Sequence, residues 1–288
     1  MTYNEICNIL AEANIENNRG EASMLICRFC NINKADLLLR RDEDFDSPEL
    51  EAAVAKRREH YPLQYILGFW DFCHETYRVN ENTLIPRQDT EKLVELAIRY
   101  IPDNARIIDL CTGSGCVAIS TLAARKDCHA VAVDLFPETL DVARDNAERN
   151  GVGDRVGFIA QDVLDPSFMD ELGEFDCILS NPPYIETHQI PLLDDELSFE
   201  PEAALDGGDD GLKFYRVIIG NYGKYLSDGG IMLLEIGCDQ AKAVSAIANT
   251  AGLRCEIFKD YDGNDRVAYL RYSSAQKLDD SISEGLGI

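Results

Sequence analysis

The stretch Ala105–Lys126, ARIIDLCTGSGCVAISTLAARK, decides the fold. ARIIDL is a short apolar run that reads as a buried strand, and GSGCVAISTLAARK reads as a helix. Between them Gly113, Gly115 and Ala118 satisfy the G-x-G-x-x-G/A spacing. Glycines there permit a tight turn and let a ligand approach the backbone, with the N-terminus of the next helix facing it. An acid about 20 residues further on completes the pattern. It is Asp134, closing the next strand HAVAVDL, where a carboxylate can accept both hydroxyls of a ribose.

Outward from this unit, strands and helices alternate. DTEKLVELAIRYI reads as a helix capped by Asp89 or Thr90, and PETLDVARDNAERNG as a helix with Pro137 at its start and Gly151 just past its end. VGFIAQD, FDCILSN and GIMLLEIG read as strands; LKFYRVIIGNYGKYL and AKAVSAIANTAG read as helices. Such alternation implies right-handed crossovers and a parallel sheet. RCEIFKD and RVAYLRY are separated only by YDGND, too short for a crossover, so the last two strands form an antiparallel hairpin. The predicted fold is α/β: a doubly wound, mostly parallel seven-stranded sheet with an antiparallel C-terminal hairpin, plus a small N-terminal helical domain.

Residues 1 to about 60 read as short amphipathic helices, with Ser47 and Pro48 as a cap and first-turn pair. YPLQYILGFWDFCHETYRVNENTLIPR is aromatic and β-branched, a hairpin or extended linker with turn residues near Asn80 and Asn82. The expected boundaries are a helical substrate-recognition domain over 1–70, a linker over 71–88, a catalytic domain over 89–272 and a disordered tail over 273–288.

The 288 residues carry a formal net charge of −25. That surface repels phosphate backbones and anionic lipid, which argues against direct nucleic-acid binding; it attracts a basic protein partner, or only keeps the protein soluble. No run approaches the roughly 20 apolar residues of a membrane span. The N-terminus MTYNEICNIL has no basic region followed by an apolar block, so a cytoplasmic protein is expected; a monomer is the expected state. Ten cysteines without an export signal read as reduced thiols. Cys27 and Cys30 form the one CxxC, and with four scattered histidines they read as packing residues rather than a metal site.

Two further strand ends are candidates. Asp162, in AQDVL, can accept from an adenine amino group while Val163 packs on the ring. After FDCIL comes SNPPYI, Ser180–Ile185: an amide, two prolines and an aromatic ring where a ladder cannot continue. Every part presents an acceptor or a flat surface, which suits holding an –NH₂ group. The Asn181 side-chain oxygen and the Pro182 carbonyl accept its two N–H bonds, Pro183 stiffens the loop, and Tyr184 packs on the planar amide. Asp109, at the tip of the first strand, repels a pyrophosphate and favours a cation. It therefore points away from a nicotinamide dinucleotide and toward S-adenosylmethionine, unless it merely caps the loop amides.

Across almost the whole chain the sequence resembles the release-factor glutamine methyltransferases, the PrmC/HemK family. The resemblance is carried by LIPRQDTE (84–91), DLCTGSG (109–115), SNPPYI, EPEAALDGGDDGLKFYR (200–216) and DYDGNDRV (260–267). It departs from the family pattern at Cys111, where a glycine is usual, and at Gln88, where a proline is usual. The resemblance implies methylation of the side-chain amide nitrogen (N5) of the glutamine in the GGQ motif of class I peptide chain release factors. It implies S-adenosylmethionine bound by Asp109, Cys111, Thr112, Gly113, Ser114, Gly115, Asp134, Asp162, Val163 and Asn181, with Asn181, Pro182 and Tyr184 catalytic. It also sets Arg87 and Glu91 beside the cofactor pocket; an interdomain ion pair and a helix start are the other readings. NPPY is shared with N6-adenine nucleic-acid methyltransferases, the alternative activity.

Overall fold

The computed structural model describes residues 1–273; apart from Ser273, the tail expected to be disordered lies outside the described residues. Five helices open the chain: α1 (Tyr3–Glu12), α2 (Asn18–Phe29), α3 (Lys34–Leu39), α4 (Pro48–Arg58) and α5 (Leu63–Leu67). Thr2 and Glu5 form a reciprocal capping box on α1, and the Ser47 hydroxyl accepts from the Leu50 amide (3.2 Å) to cap α4. The apolar faces close on Ile6, Leu10, Leu25, Ile26, Leu50 and Val54. Arg57 is buried beneath them and donates to Glu21 (2.5 Å) and to Glu196 of the catalytic region (2.6 Å).

A hairpin follows, β1 (Phe69–Phe72) and β2 (Glu75–Arg78). Its turn is at Cys73 and His74, with Cys73 at φ 53°. The Asn80–Asn82 signal belongs to a second turn, in which the Thr83 amide donates to the Asn80 carbonyl (3.0 Å). Both sites suit a turn, and the cross-strand pair Trp70–Tyr77 selects the earlier one.

The region after the hairpin contains β3 (Arg106–Leu110), β4 (His129–Asp134), β5 (Val156–Ala160), β6 (Phe175–Ser180), β7 (Leu226–Glu235), β8 (Leu253–Lys259) and β9 (Asp265–Tyr272). They form one sheet in the order β5-β4-β3-β6-β7-β9-β8. Pairings from β5 to β7 are parallel; β7–β9 and β9–β8 are antiparallel. Helices α6 (Glu91–Tyr100), α7 (Cys116–Ala124) and α8 (Pro137–Arg149), with α9 (Lys213–Val217) and α10 (Ala241–Thr250), cover the two faces over separate apolar cores.

The predicted single helix over LKFYRVIIGNYGKYL is broken. After α9 the chain makes a π-turn over Ile218–Tyr222 and a 3₁₀ turn over Gly223–Tyr225. The extra residue of a π-turn re-aims side chains. It buries Ile218, Ile219 and Tyr222, and the Tyr222 hydroxyl reaches the Val163 carbonyl (2.8 Å).

Candidate active site

Strand order runs one way from β3 through β4 and the other way from β6 through β7, so β3 and β6 flank the topological switch point. Ligands of open α/β sheets bind outside the carboxyl ends of strands there. Leu110 pairs with Ser180 in register, and the Ser180 hydroxyl donates to the Leu110 carbonyl (2.7 Å). The glycine loop after β3 and the NPPY segment after β6 therefore leave the sheet side by side. They open on a cavity of about 380 Å³.

The loop is wound tightly. The Thr112 amide donates to the Val133 carbonyl (2.9 Å) and the Gly113 amide to Asp134 Oδ2 (2.9 Å). Asp134 Oδ1 accepts from the Phe136 amide (3.3 Å), so each carboxylate oxygen keeps a lone pair for a ligand. Burial pushes the Asp134 carboxyl up, against the pull of those amides. Cys111 sits in the left-handed region at φ 60°, which explains why a glycine suits this position. Its thiol, like that of Cys116, is pushed up by burial.

Cys111, Thr112, Gly113, Ser114, Asp134, Asp162, Val163, Asn181 and Pro183 all lie on the cavity wall. Ser114 Oγ is buried beside the Cys116 thiol with no hydrogen-bond partner, an open position for a polar ligand atom. Asp162 Oδ1 is taken by the Leu164 amide (2.8 Å), leaving Oδ2 free of it.

Four expected residues are not on the wall. Asp109 is folded beneath the loop, 1% exposed, where Thr112 Oγ1 donates to it (2.6 Å). Burial pushes its carboxyl up to about 7. β3 directs this side chain under the turn, where the Thr112 hydroxyl holds it. Gly115 lets α7 pack: a Cβ there meets Ile119 Cδ1 at 2.7 Å and Ala143 Cβ at 3.2 Å. Pro182 is buried, and Tyr184 packs into the core behind the loop, where burial raises its hydroxyl beside Glu235.

The segment 200–216 straps over NPPYI. The Ile185 amide donates to the Leu205 carbonyl (2.9 Å) and the Gly207 amide to the Ile185 carbonyl (2.8 Å). A Cβ on Gly207 meets the Tyr184 backbone at 2.7 Å, so only glycine allows this crossing. Linker residues 82–87 complete another wall.

Arg87 lies on that wall and pairs with Glu200, which also accepts from the Ile85 amide (3.0 Å). Glu91 Oε1 instead accepts from the Cys73 amide (2.9 Å), tying the β1–β2 hairpin to α6. Neither Asp89 nor Thr90 caps α6; Asp89 pairs with Arg266 (2.9 Å), and Thr90 faces Asn181. Two residues near the site, Asn146 and Glu235, have no sequence signal, and Thr90 reads only as a helix cap. Asn146, fully buried on α8, donates to the Ser114 carbonyl (2.8 Å) and accepts from the Arg78 amide (2.6 Å), joining the loop to the hairpin. Thr90 and Glu235 stand behind Asn181.

A seven-stranded sheet with a reversed last strand, a glycine loop at the switch point and an acid ending the second strand define a methyltransferase. Residues 2–68 match the PrmC N-terminal domain and residues 90–198 the methyltransferase small domain. The release factor glutamine methyltransferase of Geobacter sulfurreducens is 39% identical over 266 residues, covering 90% of this chain and 91% of that protein. That of Thermodesulfovibrio yellowstonii is 37% identical over 266 residues, covering 90% and 94%. A solved protein-(glutamine-N5) methyltransferase (release factor-specific) from Alicyclobacillus acidocaldarius is 31% identical, covers 68% of this chain and 100% of its own, and has a TM-score of 0.42. On the strength of the sequence relatives, the chain belongs to the release factor glutamine methyltransferase family.

Proposed function

We propose that this chain methylates the side-chain amide nitrogen of the glutamine in the GGQ motif of class I peptide chain release factors. Asn181 carries the reading, because its amide opens on the same cavity as Gly113 and Asp134. The donor set fits S-adenosylmethionine. Asp134 accepts the ribose hydroxyls, Asp162 accepts the adenine amino group beside Val163, and the unpartnered Ser114 hydroxyl meets the amino-acid end. Bound there, S-adenosylmethionine supplies a methyl group on a cationic sulfonium.

An amide nitrogen is a poor nucleophile because its lone pair is delocalised, and no side chain is basic enough to deprotonate it beforehand. The protein therefore acts by position and by dipoles aimed at charge developing on nitrogen. Asn181 Oδ1 and the Pro182 carbonyl accept the two N–H bonds and turn the nitrogen toward the methyl carbon. Pro182 and Pro183 stiffen the loop and add no competing N–H. The proton leaves to water after transfer. The helical region 1–70 recognises the rest of the substrate protein. A nucleic-acid substrate is disfavoured by the net charge of −25.

The test is transfer of labelled methyl from S-adenosylmethionine to an unmodified release factor. Label is expected at the GGQ glutamine. Asn181→Ala is expected to lower kcat by about 10²–10³, the usual loss of one positioned polar group. No label at that glutamine, with a known enzyme active in parallel, overturns the reading.

A further inference from the structure

One buried side chain bonds both the glycine loop and the hairpin while lying off the cavity wall. It is Asn146, fully buried on α8. Its Oδ1 accepts from the Arg78 amide (2.6 Å), and its Nδ2 donates to the Arg78 carbonyl (3.0 Å) and to the Ser114 carbonyl (2.8 Å). An asparagine carries two N–H donors and an acceptor oxygen. One backbone donor and two backbone carbonyls surround it, so the amide has a single satisfied orientation. An aspartate offers the two carbonyls no donor when ionised, and an alanine leaves all three backbone groups without this partner.

The bond to Ser114 acts on the part of the loop that meets a ligand. The Gly115 amide donates to the Thr112 carbonyl (2.9 Å), so the Ser114–Gly115 peptide is held at its nitrogen by the loop and at its oxygen by Asn146. Gly113 and Gly115 flank Ser114 at φ 55° and 82°. Glycines leave a backbone free to rearrange, so an anchor from outside matters most there. Ser114 lines the cavity, and its Oγ is buried with no hydrogen-bond partner. No bond of its own fixes that hydroxyl. Its place depends on the backbone that carries it, and Asn146 holds that backbone from behind.

The other end of the tie is the hairpin. The β1–β2 pair connects the helical region to the sheet, and no residue of 69–78 lines the cavity. Further contacts lay it along α8: Asn150 Nδ2 donates to the Thr76 carbonyl (3.3 Å), and the Arg149 guanidinium stands over the Phe69 ring at 5.3 Å. Of these three side chains, Asn146 is the one that reaches on to the glycine loop.

We propose that Asn146 is a positioning residue for the methyl donor: it holds the Ser114–Gly115 peptide in the form that S-adenosylmethionine binds, and it ties that form to the docked hairpin. The inference rests on the cofactor site proposed at this loop and is independent of which amide receives the methyl group. It gives the hairpin a part in cofactor affinity without contact to the cavity.

The test is calorimetric titration with S-adenosylhomocysteine, which reads cofactor affinity apart from catalysis. Asn146→Ala and Asn146→Asp are expected to bind it at least tenfold more weakly than wild type. Asn150→Ala removes a bond to the hairpin and none to the loop, and its affinity is expected within threefold of wild type. In methyl transfer to a release factor, Asn146→Ala is expected to raise KM for S-adenosylmethionine at least tenfold, with kcat at saturating donor within threefold. General loosening of the fold would not give that split. Where neither Asn146 variant folds, hydrogen exchange on the wild type carries the test. S-adenosylhomocysteine is expected to slow exchange of the Arg78 amide at least fivefold, with the amides of α1 changed less than twofold. Affinity within threefold of wild type in both Asn146 variants, an equal loss in Asn150→Ala, or an Arg78 amide indifferent to the ligand overturns the proposal. Absence of binding to the wild type overturns the cofactor site on which it rests.

Discussion

Replacing Asp134 by alanine tests the cofactor site most directly. Its two oxygens hold the Gly113 amide at 2.9 Å and the Phe136 amide at 3.3 Å, and the residue lines the cavity. A hydrogen bond to a charged acceptor is worth about 1.5–3 kcal/mol. Two ribose hydroxyls lost at the low end of that range cost about 3 kcal/mol, or roughly 150-fold in affinity. Loosening of the glycine loop adds to the loss. Asp134→Asn keeps one acceptor oxygen and should fall between, about tenfold weaker than wild type by one lost bond. Calorimetric titration with S-adenosylhomocysteine reads the affinity, and thermal unfolding confirms the fold of each variant. Binding by Asp134→Ala within threefold of wild type would show that the ribose lies elsewhere, and the assignment of the pocket would fail with it.

Three other outcomes follow from the packing. Asp109 and Glu235 have carboxyls raised to about 7 from unfolded values of 3.8 and 4.5, so the folded state holds these protons more tightly. Their stability is fully present near pH 4 and below and is lost as pH rises from there through 7, by roughly 4 kcal/mol for Asp109 and roughly 3 kcal/mol for Glu235. Urea unfolding should give a more stable protein at pH 5 than at pH 7.5, and Asp109→Asn should flatten the difference; stability that rises across this window refutes the assignment. Arg57→Ala leaves Glu21 buried without a partner, an expected loss of about 3–5 kcal/mol in chemical denaturation. A loss below 1 kcal/mol would mean that water reaches the pair. At Cys111, φ 60°, glycine should be more stable than alanine by about 1 kcal/mol, the reverse of the usual order. Equal stabilities would place this residue in an ordinary backbone conformation.

Much of the molecule was legible in the chain. The alternation of apolar runs and amphipathic helices prescribes a parallel sheet, because a short loop after each helix leaves only a right-handed crossover. The brevity of YDGND reverses the last strand for the same reason. G-x-G spacing, an acid at the end of the second strand and NPPY after the fourth mark one edge of that sheet. Their local chemistry is complete in a few residues, so reading them needs no long-range contact.

Register and burial had to be decided by the fold. Asp109 looked like a ligand because it is charged and beside the glycines, yet β3 turns it under the loop. Asp89 and Thr90 looked like helix caps, and tertiary partners on β9 and beside β6 claim their side chains instead. The LKFYRVIIGNYGKYL helix gives up its regular turn so that Tyr222 can reach the Val163 carbonyl. Asn146 and Glu235 have common residue types and no motif, and Thr90 sits in LIPRQDTE with no signal for the partner it meets. They come together because β6 and β7 run parallel in register and α8 packs against the loop, which joins residues from 32 to 91 positions apart in the chain. A short window of sequence records what a residue can donate or accept; which partner it meets is settled only when the sheet is assembled.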